Sequence, residues 1–271
     1  MREKYFNSLE EFLTHINNAE VPEWAHSNDA SRVEFFGHLT YGEAFEKAQK
    51  GCPETAAKMK EMYSRLHATS AKVLKPQIIF ADSGLFFDTA TFLEGTPEYW
   101  LSEEITEVEG RGSRGVVKIY ANIAAACFVT EDDFMKRGAN MVQAVEMLEI
   151  SGYSTEIILC DGLASSSSSS SGSTGVYTYI TIKQPDQMLD FDKLAFVLGH
   201  VSFFRRLMLR YFESFSEAER TLLTITASGG YGYPREVPAE KGIYLTRSSY
   251  SMTQDEWRKI LSEYVTFEEK I

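Results

Sequence analysis

Apolar residues recur at helical spacing in several stretches of this chain, and helix-starting residues precede most of them. Ser8 with Glu11 makes a capping-box pattern ahead of Phe12, Leu13 and Ile16. Thr40 with Glu43 makes a second, and Gly51 and Pro53 end the helix that it opens. Residues 54–74 read as a longer, mostly polar helix with Met59, Met62, Tyr63 and Leu66 on one side, stopped by Pro76. Ile78 to Phe80 is a short apolar stretch of strand type. Ser83 to Tyr99 is aromatic and punctuated by Gly and Pro, so it reads as irregular or short-helical.

After the Gly/Arg loop at Gly110 to Gly115 the pattern changes. Residues 116–128 form a β-branched, then Ala-rich run that suits a buried strand. Thr130 caps a helix carrying Met135, Ala139, Val142, Val145, Met147 and Leu148, and Gly152 ends it. Residues 154–160 form the next strand, which completes a right-handed, parallel βαβ unit. The Ser-rich stretch 162–175 reads as a flexible loop, and 176–183 alternates as a strand. Asp190 and Asp192 lead a helix to about Phe215, followed by a strand at 221–227, a Gly/Tyr loop at 228–234 and a strand at 242–246. Thr253 with Glu256 opens the last helix. This predicts a three-layer, Rossmann-like α/β core over 111–271 and a mostly helical N-terminal part over 1–110.

Composition narrows the chemistry. With 271 residues and 44% hydrophobic side chains the chain is a folded protein. Three Cys (Cys52, Cys127, Cys160) share no metal spacing and make no disulfide framework, and Cys127 and Cys160 are expected to end neighbouring strands as small packed side chains. No run of about 18 apolar residues is present, so no membrane span is expected. The charged start MREKYFNSLEE lacks an apolar signal core, which points to the cytoplasm. The glycines at Gly110 to Gly115 precede a strand, whereas a phosphate loop follows a strand and opens a helix. No GxSxG is present, and the five His are scattered without metal spacing, so neither a nucleophile elbow nor a metal or cofactor site is expected.

Charge is unevenly distributed. The net charge is −12, but residues 1–110 carry 10 basic and 19 acidic side chains, and residues 111–271 carry 17 and 20. The basic positions in the second part are Arg111, Arg114, Lys118, Lys136, Arg137, Arg205, Arg206, Arg210, Arg235 and Arg247. Arg206 and Arg210 are four apart and share a helix face. Tyr231 and Tyr233 sit on a Gly-rich loop beside Arg235. Cations for the backbone and aromatic faces for the bases are what holds single-stranded nucleic acid. An opposing reading puts Phe203, Phe204 and Tyr211 in a helix core, with the arginines on its wet face.

Two resemblances add to this. The βαβ block resembles a von Willebrand factor A-like domain. That family binds a metal through DxSxS at the end of the first strand, where this chain has Asn122, Ala124 and Ala126. The resemblance therefore implies the fold without its metal site. Trp24, Tyr41-Gly42-Glu43-Ala44, Gly51-Cys52-Pro53-Glu54, Lys136-Arg137-Gly138-Ala139 and the run at 194–213 resemble early proteins of tailed phages whose function is unknown. Among these, the similarity implies a non-enzymatic single-stranded-DNA-binding RNA polymerase cofactor (Drc type) of Schitoviridae phages. Its partners would be single-stranded DNA and a phage RNA polymerase, with a homo-oligomer tiling the strand. Two other readings stand beside it. One is a metal-free protein-interaction module of von Willebrand type. The other is an enzyme with a dispersed site around Asp82, Asp88 or Asp161, which requires a concave pocket with at least two convergent polar groups of perturbed pKa.

Overall fold

The computed structural model of the protein describes residues 2–62, 72–95, 97–109, 114–125, 127–165, 175–238, 241–246, 249 and 252–264. It is a mixed α/β fold in three layers, with a central sheet flanked by helices. The chain opens with β1 (Arg2–Phe6), α1 (Leu9–Asn18), α2 (Tyr41–Lys50) and α3 (Pro53–Met62). A small antiparallel sheet follows, from β2 (Lys72–Ala81), β3 (Phe86–Phe87) and β4 (Trp100–Glu109), with α4 (Thr89–Leu93) between the last two strands. The second part runs through β5 (Val116–Asn122), α5 (Glu131–Ile150), β6 (Ser154–Ala164), β7 (Gly175–Lys183) and α6 (Phe191–Gly199). A π-helical stretch (Phe203–Met208) runs into α7 (Leu209–Glu213), and α8 (Glu217–Leu222), β8 (Tyr233–Arg235), β9 (Ile243–Leu245) and α9 (Gln254–Leu261) complete it.

The central sheet has the order β1-β7-β6-β5-β9, with β8 also paired to β6. β5 runs parallel to β6 and β9, and β7 runs antiparallel to β6. The expected parallel β5-α5-β6 unit is therefore present. Alternation along β5 explains its burial on both faces. Val117, Ile119 and Ala121 join the main core, while Tyr120 joins Ile158, Cys160, Tyr179 and Val237 in a smaller cluster.

Helix starts follow from side-chain caps. Thr40 and Glu43, Thr130 and Asp133, Thr253 and Glu256, and also Ser216 and Glu219, form reciprocal capping boxes. Ser8 accepts from the Glu11 amide at 3.0 Å, but the Glu11 carboxylate turns to the Asn7 amide at 2.7 Å, so that cap is one-sided. Two glycines set the helix spacing. A Cβ on Gly138 of α5 would lie 2.6 Å from Gly199 Cα in α6, and one on Gly199 would lie 2.7 Å from Met59 Sδ in α3.

Several expectations are corrected. The predicted helix 54–74 ends at Met62, residues 63–71 lie outside the described residues, and Lys72 already opens β2. Pro76 sits inside that strand opposite Ile105 and stops no helix. The N-terminal residues Arg2–Phe6, read only as a charged start, form a strand parallel to β7. The helix predicted to Phe215 breaks at His200, where the backbone is extended. No strand spans 221–227: α8 runs to Leu222, Thr224 takes a left-handed φ of 57°, and only an isolated bridge joins Ile225 to Tyr231. The Ser-rich loop is shorter at both ends, since β6 reaches Ala164 and β7 begins at Gly175. Residues 166–174 within it, and 110–113 of the Gly/Arg loop, lie outside the described residues.

Replacing Gly138 by Ala drives a methyl into the α6 backbone and is expected to cost about 1–3 kcal/mol in urea denaturation. Gly42→Ala meets nothing within 4 Å and serves as the control, expected to be neutral or slightly stabilising.

Candidate functional site

A cleft of about 610 Å³ opens beyond the carboxyl ends of β5 and β6. Ligands of open α/β sheets bind at this end of the strands, because the backbone and loops converge there. Ala124 and Ala125, just after β5, form part of its floor with Asp161 and Leu163 of β6. Phe35 and Phe36 come from the loop after the first helix, Phe204 and Arg205 from the π-helical stretch, and Tyr231 to Pro234 from the Gly/Tyr loop. His26 and Arg32 also line it.

Asp161 is the chemically distinctive group. Strand β6 is apolar around it, and the residue is 3% exposed. Among the described residues its Oδ2 has no hydrogen-bond partner. Burial pushes its carboxyl up to about 7, against the opposing pull of the Arg137 guanidinium. The group therefore exchanges a proton near neutrality.

The wall that carries Phe35 and Phe36 is held by two buried arginines. Arg205 donates to the carbonyls of Phe35 (2.9 Å), Cys127 (3.1 Å) and Val129 (2.6 Å). Arg206 donates to those of Leu39 (2.9 Å), Ser27 (2.8 Å) and Asp29 (2.8 Å). Their guanidinium groups lie over the rings of Phe35 at 4.2 Å and Phe36 at 3.7 Å. Glu213, fully buried, holds the same loop from the other side by accepting from the His26 amide at 2.7 Å and the Ser27 amide at 3.2 Å. The Tyr231 hydroxyl donates to Glu213 as well, which with burial pushes the phenol far above its ordinary range.

These contacts correct the expected basic surface. Arg205 and Arg206 are not on a wet face; they are buried, and their donors are satisfied by backbone carbonyls. Arg137 is likewise buried, 4.7 Å from the Phe134 ring. Arg210 is half-buried, within 3.4 Å of Asn28 Oδ1 and the Ala19 carbonyl and 5.0 Å over Tyr41. Tyr231 is tethered, whereas Tyr233 is 45% exposed at the cleft. Arg235 lies half-buried in β8, and Arg114 and Lys136 are exposed. Lys118 pairs with Glu156 at 3.5 Å. Arg111 and Arg247 lie outside the described residues. Cys127 is not packed at a strand end; it is exposed and lines the cleft.

The position of the von Willebrand metal motif lies beside this cleft. Asn122 at the end of β5 donates to the Arg235 carbonyl (3.1 Å) and Tyr244 hydroxyl (3.0 Å), and accepts from the Ala124 amide at 3.0 Å. Its amide thus ties β5 to the segment around β8. Ala126 lies outside the described residues. Among the described residues no cluster of three or more His, Cys, Asp or Glu is arranged to hold a metal ion. No helix there is long and apolar enough to cross a membrane.

The sequence names Asp161 only beside Asp82 and Asp88, as a centre of a dispersed enzyme site. It gave no sign of Phe35, Arg32 or His26, which only the arginine clamp brings to the cleft. The features define a three-layer α/β protein with a cleft at the carboxyl ends of its parallel strands. The chain belongs to the DUF7192 family, a domain of unknown function whose family model matches residues 2–269. No curated protein and no solved structure matches it.

Two measurements check the site. Arg206→Ala leaves three carbonyls without donors and is expected to cost about 2–4 kcal/mol in urea denaturation, with little recovery in Arg206→Lys because a point charge cannot span them. For Asp161, the folded pKa exceeds the unfolded one. Its contribution to stability is fully present below about pH 4 and is lost as pH rises through about 7. Urea midpoints across that window should fall in the wild type, and Asp161→Asn should remove this part of the fall.

Proposed function

We propose that the cleft receives a planar nitrogen heterocycle, a nucleobase of a single-stranded nucleic acid, and that the protein acts as a non-enzymatic single-stranded-DNA-binding protein. The observation that carries this reading is Asp161, a buried carboxyl whose Oδ2 has no hydrogen-bond partner among the described residues, on the wall of an aromatic-lined cleft. A carboxyl group reads the donor and acceptor edge of a base, and Phe35, Phe204 and Tyr233 offer faces for stacking. The volume of about 610 Å³ suits one nucleotide. Arg32 at the cleft supplies a cation for a flanking phosphate. Recognition is by insertion of a base and not by a long basic track, which agrees with a net charge of −12. Recruitment of a phage RNA polymerase is what the resemblance to tailed-phage cofactors adds.

A second reading is favoured by one observation. The position equivalent to the von Willebrand metal motif, Asn122 and Ala124, borders the same cleft, and Ala124 lines it. A metal-free interaction module would use the cleft for a side chain of a protein partner.

Nucleosides and a labelled single strand of about 25 nucleotides, followed by saturation-transfer NMR and fluorescence anisotropy, separate the two. Thr226→Trp fills the cleft from its exposed edge and leaves the core untouched. The wild type should bind both probes, the strand more weakly as salt rises and the uncharged nucleosides with little dependence on salt, and Thr226→Trp should bind neither. Absence of nucleoside and strand binding to the wild type would overturn the nucleic-acid reading in favour of the protein-partner one.

A further inference from the structure

The small sheet carries a surface that the cleft does not explain. Its strands pair among themselves: β2 lies along the length of β4, and β3 meets β4 at Leu101 and Trp100. One face has its own aromatic packing, with Phe87 at 5.2 Å from Phe92, 5.5 Å from Tyr99 and 5.3 Å from Trp100 between ring centroids. On the other face Phe80 and Phe86 both stand opposite Leu101, so they share a side of the sheet. They are 48% and 69% exposed, and Leu85, next to Phe86 in the chain, is 73% exposed. Large apolar side chains grouped in this way mark an interaction surface.

The charges around them select the occupant. Between Lys75 and Arg111 the chain has eight Asp and Glu and no Lys or Arg. Four of these acids, Asp82, Asp88, Glu94 and Glu98, lie in the segments that join β2 to β4. Such a field repels nucleic acid, anionic lipid and a second copy of the same surface. It attracts an apolar segment flanked by Lys and Arg. We infer that this sheet docks a basic amphipathic segment of a protein partner, with its apolar residues on Phe80, Leu85 and Phe86 and its cations toward the acids between β2 and β4. The inference stands apart from the cleft and does not depend on what the cleft binds.

The test uses the full chain and a labelled 18-residue Leu/Lys peptide with amphipathic helical spacing, with a Leu/Glu peptide of the same pattern as control. The Leu/Lys peptide should bind, more weakly as salt rises, and the Leu/Glu peptide should not. Leu85→Ser with Phe86→Ser, both exposed and removable without opening the core, should weaken binding by about tenfold or more, equivalent to about 1.4 kcal/mol. Thr226→Trp in the cleft should leave peptide binding unchanged. Equal affinity of the double Ser variant, or equal binding of the Leu/Glu peptide, would overturn the inference. So would wild-type self-association in sedimentation that the double Ser variant abolishes, because the occupant would then be a second copy.

Discussion

Everything at the carboxyl end of the central sheet depends on two adjacent arginines whose charges are shared among backbone carbonyls. The loop from His26 to Leu39 has little regular structure of its own beyond a short turn at its start and a hydrogen-bonded turn between Arg32 and His38. Its carbonyls would be unsatisfied against the core without donors. Arg205 and Arg206 supply them, and Glu213 accepts the loop's amides, so a charged bracket does for this loop what a ladder does for a strand. Both arginines lie in a π-helical stretch, a form that often marks functional positions. Without the bracket Phe35 and Phe36 have no reason to face Asp161, and the cleft has no wall.

The parts of the fold legible in sequence are those governed by local rules. Thr40, Thr130 and Thr253 cap as expected because a capping box needs only residues three apart. The β5-α5-β6 unit follows from its own periodicity. What was not legible depends on distant partners. Arg2 to Phe6 is too charged to read as a strand and becomes one because β7 offers an edge. Pro76 reads as a helix stop, yet a strand at the edge of a small sheet accommodates it. The arginine run misled for the same reason. Sequence periodicity places Arg206 and Arg210 on one face, but whether that face meets water or a loop is set by residues some 170 positions earlier, as the contact of Arg206 with Asp29 illustrates.

The polar groups at the carboxyl ends of β5 and β6 have an electrostatic meaning. A divalent-ion site gathers several anionic or hydroxyl oxygens. Here the end of β5 holds an amide already committed to neighbours, the Glu236 carboxylate among them, and the carboxyl that lines the cleft stands on β6, within the field of Arg137. One partly neutralised carboxyl favours neutral donors over bare cations.

The pairing of β1 with β7 ties the first residues of the chain to a strand made much later, since Arg2 lies beside Val176. During synthesis at about 5–20 residues per second, Arg2–Phe6 emerges roughly 10–35 s before its partner. Its charges keep it soluble through that interval, and α1 can form meanwhile from local contacts. β1 can therefore take its place in the sheet only after β7 has been made.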